Sequence, residues 1–287
     1  MEVLRSVSAM RRWRANLQRH GVTVGLVPTM GALHAGHRSL IRAARLSCDA
    51  VVVSLFVNPT QFDRPADFTR YPRRPAADRA TCAREGVDVL FVPTADDVYP
   101  SGFETTVSVR QVTQRWEGRA RPGHFEGVAT VVTKLFNLVQ PHRAFFGQKD
   151  YQQCVLIRRL VRDLNLPVRI EILPTVREAD GVAISSRNVL LTPVQRRLAP
   201  TLHAALQAGC AVIQQGRRRA SHVLRTMRAR LPRRAIEVDY LAVCDPETLE
   251  PVEWIGGPVV LLGAVCLGEV RLLDNLLVRP SVSPSRR

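Results

Sequence analysis

His34 and His37 stand three residues apart in the segment Val27-Pro28-Thr29-Met30-Gly31-Ala32-Leu33-His34-Ala35-Gly36-His37. Two imidazoles at that spacing can donate to phosphate oxygens while negative charge develops on them. The apolar run Val22–Val27 before them reads as a buried strand, and His37 to Ala44 after them reads as the start of a helix. A strand, a glycine turn and a helix N-terminus make a phosphate site, because the first helical amides are unpaired and the macrodipole is positive there. Gly31 and Gly36 would let a nucleotide approach the backbone closely. Other motifs fit less well. A P-loop needs Lys then Ser or Thr after the second glycine, and this chain has His37-Arg38. A dinucleotide fingerprint lacks its third glycine. A zinc site lacks further Cys or His close by in sequence.

The basic residues supply a second clue. Of 41, all but Lys134 and Lys149 are arginine. A lysine surviving that bias is a candidate for a place that a planar guanidinium cannot fill. Lys134 lies between Val131-Val132 and Leu135-Phe136, which suits a snorkelling or capping side chain better than catalysis. The net charge of +16 invites a nucleic-acid reading. Its even spread, in short clusters without interleaved aromatic residues, argues for compositional bias instead, and no nucleic-acid partner is expected.

Elements that position these residues follow from hydrophobic runs. Strands are expected at Val22–Val27, Ala50–Val57, Val87–Val92, Ala144–Phe146 and Val168–Leu173. Helices are expected at His37–Ser47, Ala76–Glu85, Val128–Val139 and Tyr151–Leu164. Such alternation of strands without polar faces predicts an α/β, doubly wound parallel sheet of Rossmann-like type, with ligands at the carboxyl ends of the strands. Met1 to His20 is arginine-rich like a transit peptide, but Val3, Leu4, Val7, Met10, Trp13 and Leu17 fall on one side of an amphipathic helix, the preferred reading. After Thr175 the pattern changes to helices near Pro193–Gln215 and Ser221–Leu231, then strands at Ile236–Val243, Pro258–Cys266 and Val270–Leu277. The expected organisation is an N-terminal domain, residues 1–175, and a smaller α+β domain, 176–287, whose tail 279–287 is disordered. No run approaches the ~18 apolar residues of a membrane span. The six scattered cysteines suit a reduced, cytoplasmic protein.

The His34-Ala35-Gly36-His37 element resembles that of nucleotidyl-transferring α/β enzymes. Four further segments narrow the resemblance: Phe56-Val57-Asn58-Pro59-Thr60-Gln61-Phe62, Arg121-Pro122-Gly123-His124-Phe125-Glu126-Gly127-Val128, Phe146-Gly147-Gln148-Lys149-Asp150-Tyr151-Gln152-Gln153 and Ser185-Ser186-Arg187-Asn188. In this order and spacing, with Pro28-Thr29-Met30-Gly31, they resemble the pantoate–β-alanine ligase family over nearly the whole chain.

The resemblance implies an AMP-forming ligase that makes pantothenate from pantoate, β-alanine and ATP through pantoyl adenylate, with Mg²⁺ on the phosphates and a homodimeric assembly. It implies that Met30, Gly31, Ala32, Leu33, His34, Ala35, Gly36 and His37 line the ATP site. His34 and His37 would contact phosphates, His37 as proton donor, and Lys149 would bridge them. Gly147 and Asp150 would hold the ribose beside Gln148, and Val176 the adenine. Ile184, Ser185, Ser186 and Arg187 would form a second phosphate-contacting loop. Gln61 and Gln153 would bind pantoate, with Asn58, Tyr71 and Arg121 as neighbours in a pocket for pantoate and β-alanine. Metal ligands stay unassigned. Ala35 and Gln148 replace acidic residues frequent in the family. The alternative enzyme is another nucleotidyltransferase of the His-x-Gly-His type, which would need a phosphate-binding acceptor pocket. A basic RNA-binding protein is the alternative outside catalysis.

Overall fold

The structure, a computed structural model, describes residues 1–18, 20–232 and 234–280. The chain separates into two compact units, Met1–Gln148 with Gln152–Pro174, and Thr175 onward with Lys149–Tyr151.

The first unit carries, in chain order, β1 (Glu2–Leu4), α1 (Val7–Gln18), β2 (Val24–Thr29), α2 (Ala35–Ser47), β3 (Ala50–Leu55), α3 (Pro65–Arg70), α4 (Pro75–Arg84), β4 (Val89–Phe91), α5 (Ala95–Val98), α6 (Glu117–Ala120), α7 (His124–Val139), β5 (Arg143–Gly147), α8 (Tyr151–Asp163) and β6 (Arg169–Leu173). Its six strands are all parallel and run in the order β1-β4-β3-β2-β5-β6. The order reverses between β2 and β5, so the crevice outside their carboxyl ends is where such a sheet binds ligands. Both faces of the central strands are covered. Val27, Val51, Val53, Leu90 and Phe145 pack with Leu40, Ile41 and Ala44 of α2. Their neighbours Val24, Leu26, Val52 and Val89, equally buried, point to the opposite face by the pleat. That explains runs without polar alternation.

The expected helix over Met1 to His20 needs correction. Glu2–Leu4 is a strand paired with Val89–Phe91, and the helix starts only at Val7. Three residues are too few to display a period of two, and the pairing that selects strand lies 87 positions away at Val89 (Glu2↔Val89). Two of the expected strands were also too long: β3 ends at Leu55 and β4 spans only Val89–Phe91.

The second unit holds α9 (Pro193–Leu198), α10 (Pro200–Gln214), α11 (Ala220–Ala229) and the strands β7 (Glu237–Cys244), β8 (Val259–Leu267) and β9 (Val270–Val278). The strands form an antiparallel sheet, β7-β8-β9. Leu202, Leu206 and Ile213 of α10 with Val223 and Met227 of α11 pack against Leu261 and Val265. The single helix expected over Pro193–Gln215 is two, because Pro200 has no N–H to continue the ladder and starts α10 at its first position. Of the expected disordered tail, 281–287 lie outside the described residues. The cysteines are free, four of them buried.

Candidate active site

Loop 30–34 leaves β2 at the reversal point of the sheet and enters α2 through His34. His34 is the N-cap: its Nδ1 accepts from the Gly36 amide at 3.2 Å, while the His34 amide donates to Nδ1 of His37 at 3.3 Å. The pair forms a capping box with imidazoles in place of hydroxyl and carboxylate. Each Nδ1 is thus an acceptor, so in the neutral rings the proton sits on Nε2. The rings lie 4.0 Å apart between centroids. Both histidines therefore carry an Nε2–H donor suited to anionic oxygen. An ideal Cβ on Gly36 would come within 3.0 Å of the His34 ring, so that glycine serves the histidine's seat.

The amides of the loop before α2 are engaged within the protein. Gly31 N donates to Thr29 Oγ1 at 3.2 Å. Ala32 N and Leu33 N donate to the two carboxylate oxygens of Asp78 at 2.9 and 2.7 Å. This acid is buried and is contributed by α4, 45 and 46 positions further along the chain. Nothing in the sequence of the loop signals it.

A second group surrounds the short 3₁₀ turn Pro59–Gln61. Asn58 and Gln61 are buried. Asn58 Nδ2 donates to Gly127 O and Gln61 Oε1, both at 3.1 Å. Its Oδ1 accepts from Tyr99 Oη at 2.8 Å and Thr60 Oγ1 at 3.0 Å. Gln61 Nε2 donates to Met30 Sδ at 2.9 Å, joining this turn to the histidine loop. Helix α7 comes so close that a Cβ on Gly127 would lie 2.4 Å from Thr60 O. Arg121 donates to Gln61 O at 3.1 Å and to Asp63 Oδ1 at 3.3 Å. His124 Nδ1 lies 2.7 Å from Gln61 O, which only accepts, so Nδ1 carries the proton and Nε2 accepts from Arg121 at 3.2 Å. Arg121, expected beside the substrate, and His124, given no chemistry by the sequence, thus build the seat of Gln61. Tyr71 is buried with its ring edge-on to Phe62, 5.7 Å between centroids. Lys134 places its Nζ 4.4 Å from the Phe103 ring centroid and 5.7 Å from that of Tyr99, and burial lowers its pKa.

At the end of β5, Gly147 faces open space where a side chain would project. Gln153 is half-buried, one residue after Gln152. Gln152 is the fully buried member of the pair. Its Nε2 donates to Val112 O at 2.6 Å and Arg115 O at 2.9 Å, and its Oε1 accepts from Glu117 N.

The remaining candidates belong to the second unit. Lys149 Nζ is 3.4 Å from Asp150 Oδ1, and its carbonyl accepts from Asn275 Nδ2 at 2.9 Å. Val176 O accepts from Ile184 N at 3.0 Å. Ser185 caps the turn Ser186–Leu190 by accepting from the Arg187 amide. Lys149, Ser185, Arg187 and Asn188 line one cavity with His203 and Asp274. Asn188 Oδ1 and His203 Nδ1 are buried there, each without a well-formed hydrogen bond. Asp274 receives Arg177 at 2.6 and 2.9 Å; His203 Nδ1 is 3.3 Å away but poorly aligned. Burial works against the Asp274 charge, yet His203, the Arg177 guanidinium and the Asn275 amide hold its carboxyl below the usual range. Among the described residues no group of three or more His, Cys, Asp or Glu is placed to hold a metal.

Known proteins resemble this chain over nearly its whole length. The sequence profile described as pantoate-beta-alanine ligase matches residues 2–277. The pantothenate synthetase of Moorella thermoacetica is 51% identical over 279 residues, covering 97% of this chain and 99% of that protein. That of Chloroflexus aggregans is 48% identical over 280 residues, covering 97% and 100%. The crystal structure of the Thermus thermophilus pantothenate synthetase superposes with a TM-score of 0.90 at 47% identity, covering 98% of this chain and 100% of that one. A Francisella tularensis pantoate-beta-alanine ligase, solved with a β,γ-ATP compound and β-alanine, gives 0.81 at 33% identity, covering 96% and 97%. On this near-full-length agreement in sequence and fold, the chain belongs to the pantoate–β-alanine ligase family.

Proposed function

We propose that this ligase joins pantoate to β-alanine in two steps at the residues described above. A pantoate carboxylate oxygen attacks the α-phosphorus of ATP and pyrophosphate leaves. The β-alanine amine then attacks the acyl carbon, loses a proton, and AMP departs with that oxygen. Activation is needed because a carboxylate is a poor acyl electrophile. The first step gathers negative charge on phosphate, so positioning and electrostatic stabilisation dominate its catalysis.

His34 and His37 meet this charge through their Nε2–H groups, His37 as proton donor. Lys149 neutralises phosphate, with Ser185, Ser186 and Arg187 donating hydrogen bonds. Gly147 and Asp150 hold the ribose, and Val176 with Ile184 the adenine. Gln61 and Gln153 receive pantoate beside Tyr71, while Asn58 and Arg121 serve that pocket by fixing Gln61. Mg²⁺ would serve as the counter-ion of the triphosphate, supplying charge neutralisation as pyrophosphate leaves. The proposal extends to a homodimer acting in the cytoplasm; no helix among the described residues is long and apolar enough to cross a membrane.

The observation that carries this reading is the full-length likeness to a relative solved with an ATP compound and β-alanine. The alternative nucleotidyltransferase is not favoured, because the full-length likeness in sequence and fold is to pantothenate synthetases. An omission assay tests it: AMP should appear only when ATP, pantoate and β-alanine are all present. AMP release without β-alanine at an equal rate would reject the two-substrate condensation.

A further inference from the structure

We propose that Asp78, on α4, is a positioning residue for the nucleotide step: its carboxylate holds the Met30–His34 loop in the shape that presents His34 and His37. The proposal rests on the assignment of that loop to ATP. Asp78 is 3% exposed, and its two oxygens accept from consecutive amides, Ala32 N at 2.9 Å and Leu33 N at 2.7 Å. Two consecutive amides directed at one point form a concavity that binds anions. Here the protein supplies the anion itself, so the substrate's phosphates are left to the imidazoles one and four residues further on.

The loop is shaped around this carboxylate. Gly31 has φ +86 and Ala32 φ +50, both in the left-handed region, which is costly for alanine. An ideal Cβ on Gly31 would approach Asp78 Oδ2 to 3.1 Å, so a side chain there would press on the acid. Such a conformation persists only where surrounding contacts over-determine it. Asp78 provides two, both charge-assisted. Each amide here has its own carboxylate oxygen, Oδ2 for Ala32 and Oδ1 for Leu33. An asparagine offers one, and sets its own NH₂ against the other amide.

The test compares full-length wild type, Asp78→Asn and Asp78→Ala in pantoyl-adenylate formation and, separately, in aminolysis of supplied pantoyl adenylate. Loss of a charge-assisted bond predicts that kcat/KM for ATP falls roughly 10- to 100-fold in both variants. The KM for β-alanine in the second reaction should stay within about twofold, since that amine does not depend on a triphosphate grip. Added formate should restore part of the Asp78→Ala loss by returning two oxygens to the vacated space, and none of the Asp78→Asn loss, where the amide fills it. Wild-type ATP kinetics in Asp78→Asn would overturn the proposal. So would an Asp78→Ala loss that formate leaves unchanged, or that falls equally on β-alanine. If the wild type itself forms no adenylate, the functional assignment fails instead.

Discussion

Asn58 Nδ2 donates to Gln61 Oε1 at 3.1 Å, and this bond determines which end of the Gln61 amide faces Met30. Gly127 O accepts from the same Nδ2 and cannot donate, so the Asn58 amide has only one satisfactory orientation. Tyr99 and Thr60 agree by meeting Oδ1 with hydroxyls. Gln61 must then turn Nε2, a donor, toward Met30 and away from the turn. A donor is what a carboxylate or hydroxyl oxygen of pantoate requires.

Tyr99→Phe removes one of the bonds that hold Asn58. We expect the KM for pantoate to rise by about 3- to 10-fold, the value of one neutral hydrogen bond, with the KM for ATP unchanged. Gln61→Ala should raise the pantoate KM further. Steady-state kinetics with each substrate varied in turn checks both; equal damage to ATP would place Gln61 outside the pantoate pocket.

Gly147→Ala separates a ligand contact from a folding requirement. A Cβ there meets no protein atom, and the backbone is not left-handed. The variant should unfold at the same denaturant midpoint or slightly higher. Its KM for ATP should rise at least several-fold if the ribose sits against this residue. Unchanged ATP kinetics would move the ribose elsewhere.

Lys149→Ala should slow pantoyl-adenylate formation by roughly 10²-fold or more, as loss of one strong electrostatic contact to a transition state does. Aminolysis of supplied pantoyl adenylate should suffer much less. Quenched-flow measurement of the two half-reactions decides; near-wild-type adenylate formation rejects the role.

The Asp274 ion pair makes a stability prediction for the second unit. Its folded pKa lies below the ordinary value of 3.8, so the pair's contribution is present above that pH and is lost as pH falls through the lowered value. Arg177→Met strands a buried carboxylate and should destabilise by about 3 kcal/mol at pH 7. The gap between variant and wild type should narrow below about pH 4 as protonation removes the charge. Urea unfolding at pH 7 and pH 3 measures it; a pH-independent gap would mean that packing, not charge, is lost.

The parts legible in the sequence are those written locally. Parallel strands buried on both faces show as runs such as Ala50 to Leu55, and His34 and His37 advertise themselves by residue type and by the turn that holds them. What stayed hidden is held across the chain. Glu2–Leu4 becomes a strand only because Val89–Phe91 is there to pair with it. Asp78 reads as an ordinary acid in a helix first turn until the fold brings it under Ala32 and Leu33. Arg121 and His124 read as substrate or loop residues, yet both converge on the carbonyl of Gln61, 60 and 63 positions earlier. Side-chain type announces what chemistry is possible; orientation depends on partners that no local pattern records.

The central claim is that pantoate is activated by adenylation at the histidine and lysine residues named here, and isotope transfer tests it most directly. Pantoate labelled with ¹⁸O in its carboxylate is turned over with ATP and β-alanine, and the products are weighed by mass spectrometry. Adenylation makes the carboxylate oxygen a bridge to the α-phosphorus, so one ¹⁸O should leave in AMP while pyrophosphate stays unlabelled. Label in inorganic phosphate or pyrophosphate, or unlabelled AMP, would contradict the account.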